Sequence, residues 1–280
     1  MKIRIWGSRG SIASPGPETI RYGGNTSCIE LRGDDGETIV LDAGTGARPL
    51  GEALMEEPPH RIDLFLTHLH VDHLEGLGMF APIWSPDVEL HIWGPPSPVA
   101  SLDERIATYF SPPLFPVHLS EVPAHVVFHD APRDPWTIGS LTVMADPILH
   151  PGATVGYRVE SDGKALAYVT DHEPALGTDL DAAGTAWISG YALSHHADVL
   201  IHDCQYTEDE YSEHVGWGHP SVAHVASYAR RAEVDRLVLF HHHPGHADAE
   251  LEAMRSAVLA GWQVEPQRCI VAAEGAEIDV

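Results

Sequence analysis

The residues with the clearest chemistry lie in the segment 67–73, whose sequence is THLHVDH. His68 and His70 are two positions apart, so on an extended backbone their side chains point to the same side. Asp72 and His73 follow where the chain turns, and they can face a second point in space. Imidazole nitrogens and carboxylate oxygens suit zinc, iron or manganese better than calcium. The spacing predicts one short loop that serves two adjacent cations, against the alternative of a solvated, histidine-rich turn.

Buried strands are needed to position such a loop. The apolar run from Ile62 to Leu66 predicts one that ends at the segment 67–73, and we expect a helix from Leu74 to Phe80 after it. Ligand-type residues also follow three later apolar stretches, and they are His150, Asp171 and His241. Because active-site residues commonly lie in loops held by a rigid scaffold, these strand ends are candidates for the same site.

The candidate ligands form two groups. The groups are His68, His70 and His150 for one ion, and Asp72, His73 and His241 for the other. Asp171 has two carboxylate oxygens and can bridge both ions. Two ions about 3.5–4 Å apart activate a bound water as a nucleophile. This arrangement predicts hydrolysis at an electrophilic phosphorus or carbonyl carbon.

Composition limits the class of protein. The chain has 280 residues, of which 44% are hydrophobic, enough for a sizeable core. We find no apolar run near 18 residues and no apolar block at the N-terminus, so we expect neither a membrane span nor a signal peptide. The three cysteines are widely spaced, which favours free thiols and a cytoplasmic location over a disulfide framework.

The net charge is strongly negative. Sixteen Lys and Arg against 41 Asp and Glu give −25. Binding of long nucleic acids depends on basic side chains that contact phosphates, so a long nucleic-acid partner is disfavoured. A small phosphate ester remains compatible, because bound cations make the local site positive.

Strand and helix patterns indicate layers of sheet covered by helices within one domain spanning residues 1–280. A helix is also expected from Gly184 to His196. The proline-rich insertion at about 94–123 is either a lid over the substrate or a surface connector. The turn 7–11, GSRGS, is either a phosphate cradle or a plain loop, and Asp42 is either a turn former or a group that orients a metal-bound histidine.

The segment THLHVDH, with His150, Asp171 and His241 following in that order, resembles the signature of the metallo-β-lactamase superfamily. That resemblance covers nearly the whole chain. It implies an α/β fold, a four-layer αββα sandwich of two mixed sheets flanked by helices, with a dinuclear site at one edge. It also implies two divalent metal ions, with zinc first and manganese or iron as alternatives.

Within this superfamily the chain is similar to the ribonuclease Z and cyclic-nucleotide phosphodiesterase branch. The cues are Asp171, the turn 7–11 and the segment 218–221, GHPS. By that analogy His219 hydrogen-bonds a phosphoryl oxygen or protonates the leaving group, against the alternative of a helix cap. The chain lacks the basic, glycine-rich arm with which ribonuclease Z grips tRNA.

These observations predict a metal-dependent hydrolase of a small phosphodiester such as a cyclic nucleotide, with Asp72 and His219 as catalytic residues. Asp72 would bind the second ion and orient the attacking oxygen or accept its proton. One alternative is a carboxylic ester, lactone or thioester hydrolase, and another is a metal- or ligand-binding module without turnover. The expected partner is a small molecule, and a homodimer is one option for the oligomeric state.

Overall fold

The computed structural model describes residues 1–280 and contains two seven-stranded sheets. The first sheet has the spatial order β14-β1-β2-β3-β4-β5-β6. Its strands are β1 (Lys2–Gly7), β2 (Cys28–Arg32), β3 (Thr38–Leu41), β4 (Arg61–Phe65), β5 (Glu89–Gly94), β6 (His125–Asp130) and β14 (Glu277–Asp279). The strands from β3 to β6 pair in parallel, whereas β14, β1, β2 and β3 pair antiparallel.

The second sheet has the order β13-β12-β11-β10-β9-β8-β7. Its strands are β7 (Trp136–Ile138), β8 (Leu141–Pro147), β9 (Val155–Ser161), β10 (Lys164–Val169), β11 (Val199–Asp203), β12 (Arg236–Phe240) and β13 (Cys269–Val271). The strands from β10 to β13 are parallel, and β7 to β10 are antiparallel. Both sheets are therefore mixed.

Helices cover the outer faces of the two sheets. They are α1 (Ala47–Leu54), α2 (Leu102–Tyr109), α3 (Tyr191–Ser194), α4 (Glu208–His214), α5 (Val222–Arg231) and α6 (Asp248–Trp262). Apolar clusters lie under α1 and α2 on one side and under α5 and α6 on the other, and a third cluster fills the space between the sheets. The predicted four-layer αββα sandwich is confirmed.

The alternating direction of side chains along the central strands explains these layers. In β4, Leu64 packs under α1 while Phe65 packs between the sheets. In β12, Leu239 packs under α6 while Phe240 packs between the sheets. Successive side chains of a strand point to opposite faces, so strands that are apolar throughout become buried on both sides. This burial fixes the positions at which the strands end.

Two predicted helices are wrong. The segment 74–80 contains only a short 3₁₀ turn, Leu77–Met79. The Gly76 N–H donates to the Ala43 carbonyl at 2.9 Å, so it does not make the hydrogen bond that an α-helix would need. The segment 184–196 forms a 3₁₀ turn, Thr185–Trp187, and the single turn α3. The backbone breaks between them at Gly190, whose φ of 68° is left-handed and ends a regular helix.

The proline-rich insertion packs against the first sheet. Phe110, Phe115 and Leu119 are buried in the cluster that also contains α1 and α2 residues. Tyr109 donates a hydrogen bond to the carbonyl of Glu75, close in sequence to the histidine-rich loop. A lid role for 94–123 stays a prediction. None of the helices has the length and apolar character needed to cross a membrane.

Candidate metal centre

The candidate site lies at the edge where the central parallel strands of both sheets end. β4 ends at Phe65 and the histidine-rich loop follows, whereas β10 ends at Val169 just before Asp171 and β12 ends at Phe240 just before His241. His150 lies in the connection from β8 to β9. Loops at the carboxyl ends of strands are a common place for ligands in α/β folds. The structure brings all seven predicted ligands to this edge.

The first group contains three imidazoles. The ligand nitrogens of His68, His70 and His150 all lie within 4.8 Å of one another. His150 Nε2 is 3.2 Å from His70 Nδ1. His68 Nε2 is buried and has no hydrogen-bond partner. A buried nitrogen without a partner is costly unless a ligand satisfies it, so this group fits a cation.

The second group is tighter. His73 Nε2 and His241 Nε2 are 3.4 Å apart, and they lie 3.3 and 3.2 Å from Asp72 Oδ2. The two oxygens of Asp171 lie 3.1 Å from His73 Nε2 and 3.2 Å from His241 Nε2. Ligand atoms separated by 3.1–3.4 Å leave room for an ion about 2 Å from each of them, which is the usual length of a zinc bond to nitrogen or oxygen.

Asp171 lies between the two groups. Its Oδ1 is 3.2 Å from His241 Nε2, and it is 3.8 and 3.9 Å from the Nε2 atoms of His68 and His150. Its Oδ2 contacts His73 of the second group. One carboxylate therefore faces both sets of nitrogens, which is the arrangement expected of a ligand shared by two cations.

Charges in the second group favour a cation. Burial alone would lower the pKa of His73, but the carboxylates of Asp171, Asp72 and Asp42 raise it well above its usual value. Burial would also lower the pKa of His241, but the neighbouring carboxylates, chiefly Asp171, raise it to about 9. The carboxylates thus draw positive charge into this space, as protons on imidazole or as a metal ion. Together with the donor geometry, this shows that the residues fit divalent metals.

Asp42 positions one of these imidazoles. Its fully buried carboxylate accepts hydrogen bonds from His73 Nδ1 at 2.8 Å, from the Tyr168 hydroxyl at 2.8 Å and from the Thr67 backbone N–H at 2.8 Å. The hydrogen bond from His73 Nδ1 to Asp42 fixes the His73 ring with Nε2 directed at the centre. Of the two readings of Asp42 from sequence, the structure supports the one in which it orients a ligand histidine.

Three residues of the centre adopt left-handed backbone conformations. Asp42, Asp171 and His241 have φ values of 59°, 53° and 53°. Each follows a buried strand at the edge that carries the site. Non-glycine residues in this region are strained by about 1–3 kcal/mol, and such strain persists where the surrounding packing fixes the chain. The sheets thus hold these side chains in directions that the isolated chain would disfavour.

The turn 7–11 supports the second group. The Ser11 backbone N–H donates to Asp72 Oδ2 at 2.7 Å. A Cβ on Gly10 would lie 2.4 Å from the His241 ring. Arg9 is fully buried and donates to the backbone carbonyls of Gly23 and His246. This turn therefore positions Asp72 and leaves space for His241.

His219 lies beside the centre with a partner that sequence analysis missed. Its Nδ1 is 2.7 Å from Oδ2 of Asp203, a fully buried carboxylate at the end of β11. The His219 ring stacks on His241 with centroids 5.0 Å apart and is 5.1 Å from the ring of His150. The position of Asp203 in the sequence was the available signal. This residue lies at the end of a buried strand, as Asp171 lies just after the end of the neighbouring strand β10.

The neighbouring histidines point elsewhere. His242 Nε2 donates to the backbone carbonyl of Ala272, and His246 Nε2 contacts the carboxylate of Glu210. His172 pairs with His202 in the interior through a 2.9 Å contact between ring nitrogens. Of the three consecutive histidines 241–243, the structure places His241 in the cluster of ligand atoms.

Comparison with known families identifies relatives of this chain. The family described as "Beta-lactamase superfamily domain" matches residues 37–242. Ribonuclease Z of Thermococcus gammatolerans is 27% identical over 268 residues, covering 78% of each chain. Ribonuclease Z of Mycolicibacterium gilvum is 29% identical over 265 residues, covering 82% of each chain.

Solved structures share the fold. The metallo-beta-lactamase fold protein YhfI from Bacillus subtilis superposes with a TM-score of 0.72 at 18% identity, covering 99% of this chain and 98% of that one. The short form of human tRNase Z gives 0.66 at 20% identity, covering 100% and 99%. Zinc-bound PqqB from Methylobacterium extorquens gives 0.70 at 17% identity, covering 100% of both chains. The resemblance seen in the sequence is confirmed, and the chain belongs to the beta-lactamase superfamily, with the metallo-β-lactamase fold.

Proposed function

We propose that this metal-dependent hydrolase cleaves small phosphodiesters, with cyclic nucleotides as the first candidates. The observation that carries the proposal is the position of Asp171 between two groups of ligand atoms, with the Asp203–His219 pair beside them. Two adjacent cations stabilise both the attacking and the leaving oxygen of a displacement at phosphorus. The ribonuclease Z relatives support phosphodiesters as the substrate class.

The ligand groups support a proposal for the metal sites. His68, His70 and His150 would hold one ion, and Asp72, His73 and His241 would hold the other, with Asp171 shared between them. We propose zinc, because imidazole and carboxylate in tetrahedral groups are its usual ligands. Bound at these positions, the ions would supply an activated water and neutralise negative charge on the phosphate oxygens.

His219 is proposed to act on the leaving group. Its Nδ1–H donates to Asp203, which leaves Nε2 as the nitrogen available to a substrate. In the protonated form Nε2 donates a hydrogen bond to a phosphoryl oxygen or transfers its proton to the departing oxygen. Asp203 keeps the ring in this orientation, as a carboxylate does for a catalytic histidine in other hydrolases.

Asp72 is proposed to orient the attacking water. Its Oδ2 accepts a hydrogen bond from the Ser11 N–H and would bind the second ion beside the Nε2 atoms of His73 and His241. Its remaining oxygen can accept a hydrogen bond from the nucleophile or take its proton. This role accompanies metal binding at the same residue.

The negative surface favours small substrates over long RNA. The net charge is −25, so the surface outside the metal site would repel the phosphate backbone of a long RNA. Long RNA is still the competing substrate, because the curated relatives are named ribonuclease Z. A carboxylic ester or lactone is the other candidate, since the same activated water attacks a carbonyl carbon.

A substrate panel tests the proposal. The zinc-loaded protein is incubated with 3′,5′-cyclic AMP, bis(p-nitrophenyl) phosphate, a precursor tRNA and an acyl-homoserine lactone, and metal content is measured in the same samples. We expect two metal equivalents and turnover of the two small phosphodiesters. Turnover of the lactone alone, or of the precursor tRNA alone, would contradict the proposed substrate class.

A further inference from the structure

The segment Gly216-Trp217-Gly218 is a prominent surface feature beside the candidate centre. Trp217 is 61% exposed, whereas Gly218 and His219 directly after it are buried. Exposing an indole to water forgoes the stabilisation that burial of its large apolar surface would give. A tryptophan two residues from His219 lies at most about 7 Å away along the backbone. Its exposed indole beside His219 is therefore within reach of a ligand bound at the centre.

A buried carboxylate holds this segment in place. Glu173 is fully buried and accepts hydrogen bonds from the backbone N–H groups of Gly216 at 3.0 Å and Gly218 at 2.9 Å. The Tyr211 hydroxyl donates to it at 2.7 Å. A buried charge is tolerated where several donors satisfy it. Here the donors come from the two residues on either side of Trp217, so the indole is presented from a fixed backbone.

The same segment is fixed relative to the metal ligands. Gly216 and Gly218 have φ values of 86° and 92°, which favour glycine. A Cβ on residue 218 would lie 2.2 Å from His150 Nδ1. The carbonyl of Gly218 accepts a hydrogen bond from that nitrogen at 3.0 Å. The residue after Trp217, Gly218, contacts His150, and the one after that is His219. The position of Trp217 is therefore fixed relative to both histidines.

The surroundings of Trp217 lack basic side chains that could pair with a phosphate or stack on a base. The segments that form this side of the centre, 67–73, 148–152 and 206–219, contain no Lys or Arg. The His214 ring packs nearly perpendicular to the indole, with centroids 4.7 Å apart. The indole is nevertheless 61% exposed, so much of its surface is free to contact a ligand. Stacking on the indole is the contact available to an aromatic group of the substrate.

We propose that Trp217 stacks on the nucleobase of the substrate and so selects nucleotides among small phosphodiesters. This inference rests on the proposed phosphodiesterase function and names its substrate class. Stacking of a base on an aromatic side chain changes affinity by about tenfold or more. Trp217 thus determines specificity, while the metal ligands and His219 act on the phosphate.

Binding and turnover test it separately. Titration calorimetry of the zinc-loaded protein compares AMP with ribose 5-phosphate, and kinetics compare 3′,5′-cyclic AMP with ribose 3,5-cyclic phosphate, which lacks the base. The wild type is expected to prefer each base-containing compound about tenfold. Trp217→Ala and Trp217→Leu should lose this preference without a change for the base-free compounds, and Trp217→Phe should keep most of it.

The outcomes separate this inference from the proposed function. Absence of a base-dependent preference in the wild type, or its full retention in Trp217→Leu, would overturn the stacking role. The remaining alternative is that Trp217 contacts a second copy of this chain, which sedimentation velocity would detect. A Trp217→Ala variant that alters self-association but keeps the preference for AMP would also overturn the stacking role. If no phosphodiester is hydrolysed but Trp217→Leu loses the preference for AMP, the proposed reaction fails and the nucleobase site stands.

Discussion

Replacement of Asp42 by asparagine tests how the centre is positioned. Four donors converge on both oxygens of this buried carboxylate, and they are His73 Nδ1, the Tyr168 hydroxyl and the backbone N–H and hydroxyl of Thr67. An amide has one acceptor oxygen, so Asp42→Asn places an NH₂ group against at least one donor. A lost hydrogen bond to a charged group costs about 1.5–3 kcal/mol, and a buried donor left without a partner adds to it.

We therefore expect Asp42→Asn to lower the free energy of unfolding by about 3 kcal/mol. With His73 no longer held, affinity for the second metal should fall by about 10- to 100-fold. The matched control is Tyr168→Phe, which removes one neutral donor and leaves the contact between Asp42 and His73. It should cost about 1 kcal/mol and change metal affinity little.

Denaturant unfolding followed by circular dichroism gives the stability of these variants. Competition with a chromophoric chelator gives the two metal affinities. If Asp42→Asn binds both metal equivalents as tightly as the wild type, Asp42 does not position His73. If Tyr168→Phe weakens metal binding as much as Asp42→Asn, the effect belongs to the interior of the sheet and the carboxylate has no special role.

Three other changes have defined outcomes. Asp171→Ala should lose at least one metal equivalent by elemental analysis, and full loading would refute a shared ligand. His219→Ala should keep both metals but slow phosphodiester turnover by about 10²- to 10⁴-fold, and an unchanged kcat would remove it from the mechanism. Burial lowers the pKa of His202 to about 4, so the unfolded chain binds more protons between pH 6.5 and 4, and stability falls as the pH drops through this range. The loss at pH 5 should be about 2 kcal/mol relative to pH 8, and His202→Asn should show a shallower dependence in urea unfolding.

The seven candidate ligands could be identified from the sequence because their signal is local. The motif at 67–73 contains four of them in seven residues, and the remaining three follow apolar stretches that must be buried strands. Parallel strands of one sheet end at the same edge, so residues that follow them come close together whatever the exact strand order. Asp203 carried the same signal at the end of β11, but without a histidine-rich motif it was not distinguishable from an ordinary strand-end aspartate.

Three elements that the sequence analysis did not predict depend on tertiary contacts or on local capping. β7 and β14 have three residues each, and they are strands only because longer neighbours pair with them. α4 has the polar sequence EDEYSEH, with little apolar periodicity. Its signal was the capping box, in which the Thr207 hydroxyl accepts from the Glu210 N–H and the Glu210 carboxylate accepts from the Thr207 N–H.

The ligands extend from His68 to His241 along the chain and come from both sheets. A polypeptide emerging from the ribosome would lack a complete second site until nearly all of its length had appeared, so tight metal uptake is expected late in maturation. The reverse also follows, because detachment of either sheet would divide both candidate ligand groups and so weaken any metal bound there. Loss of metal can therefore serve as a reporter of global integrity, and a destabilised core would first be seen in cells as a poorly metallated protein.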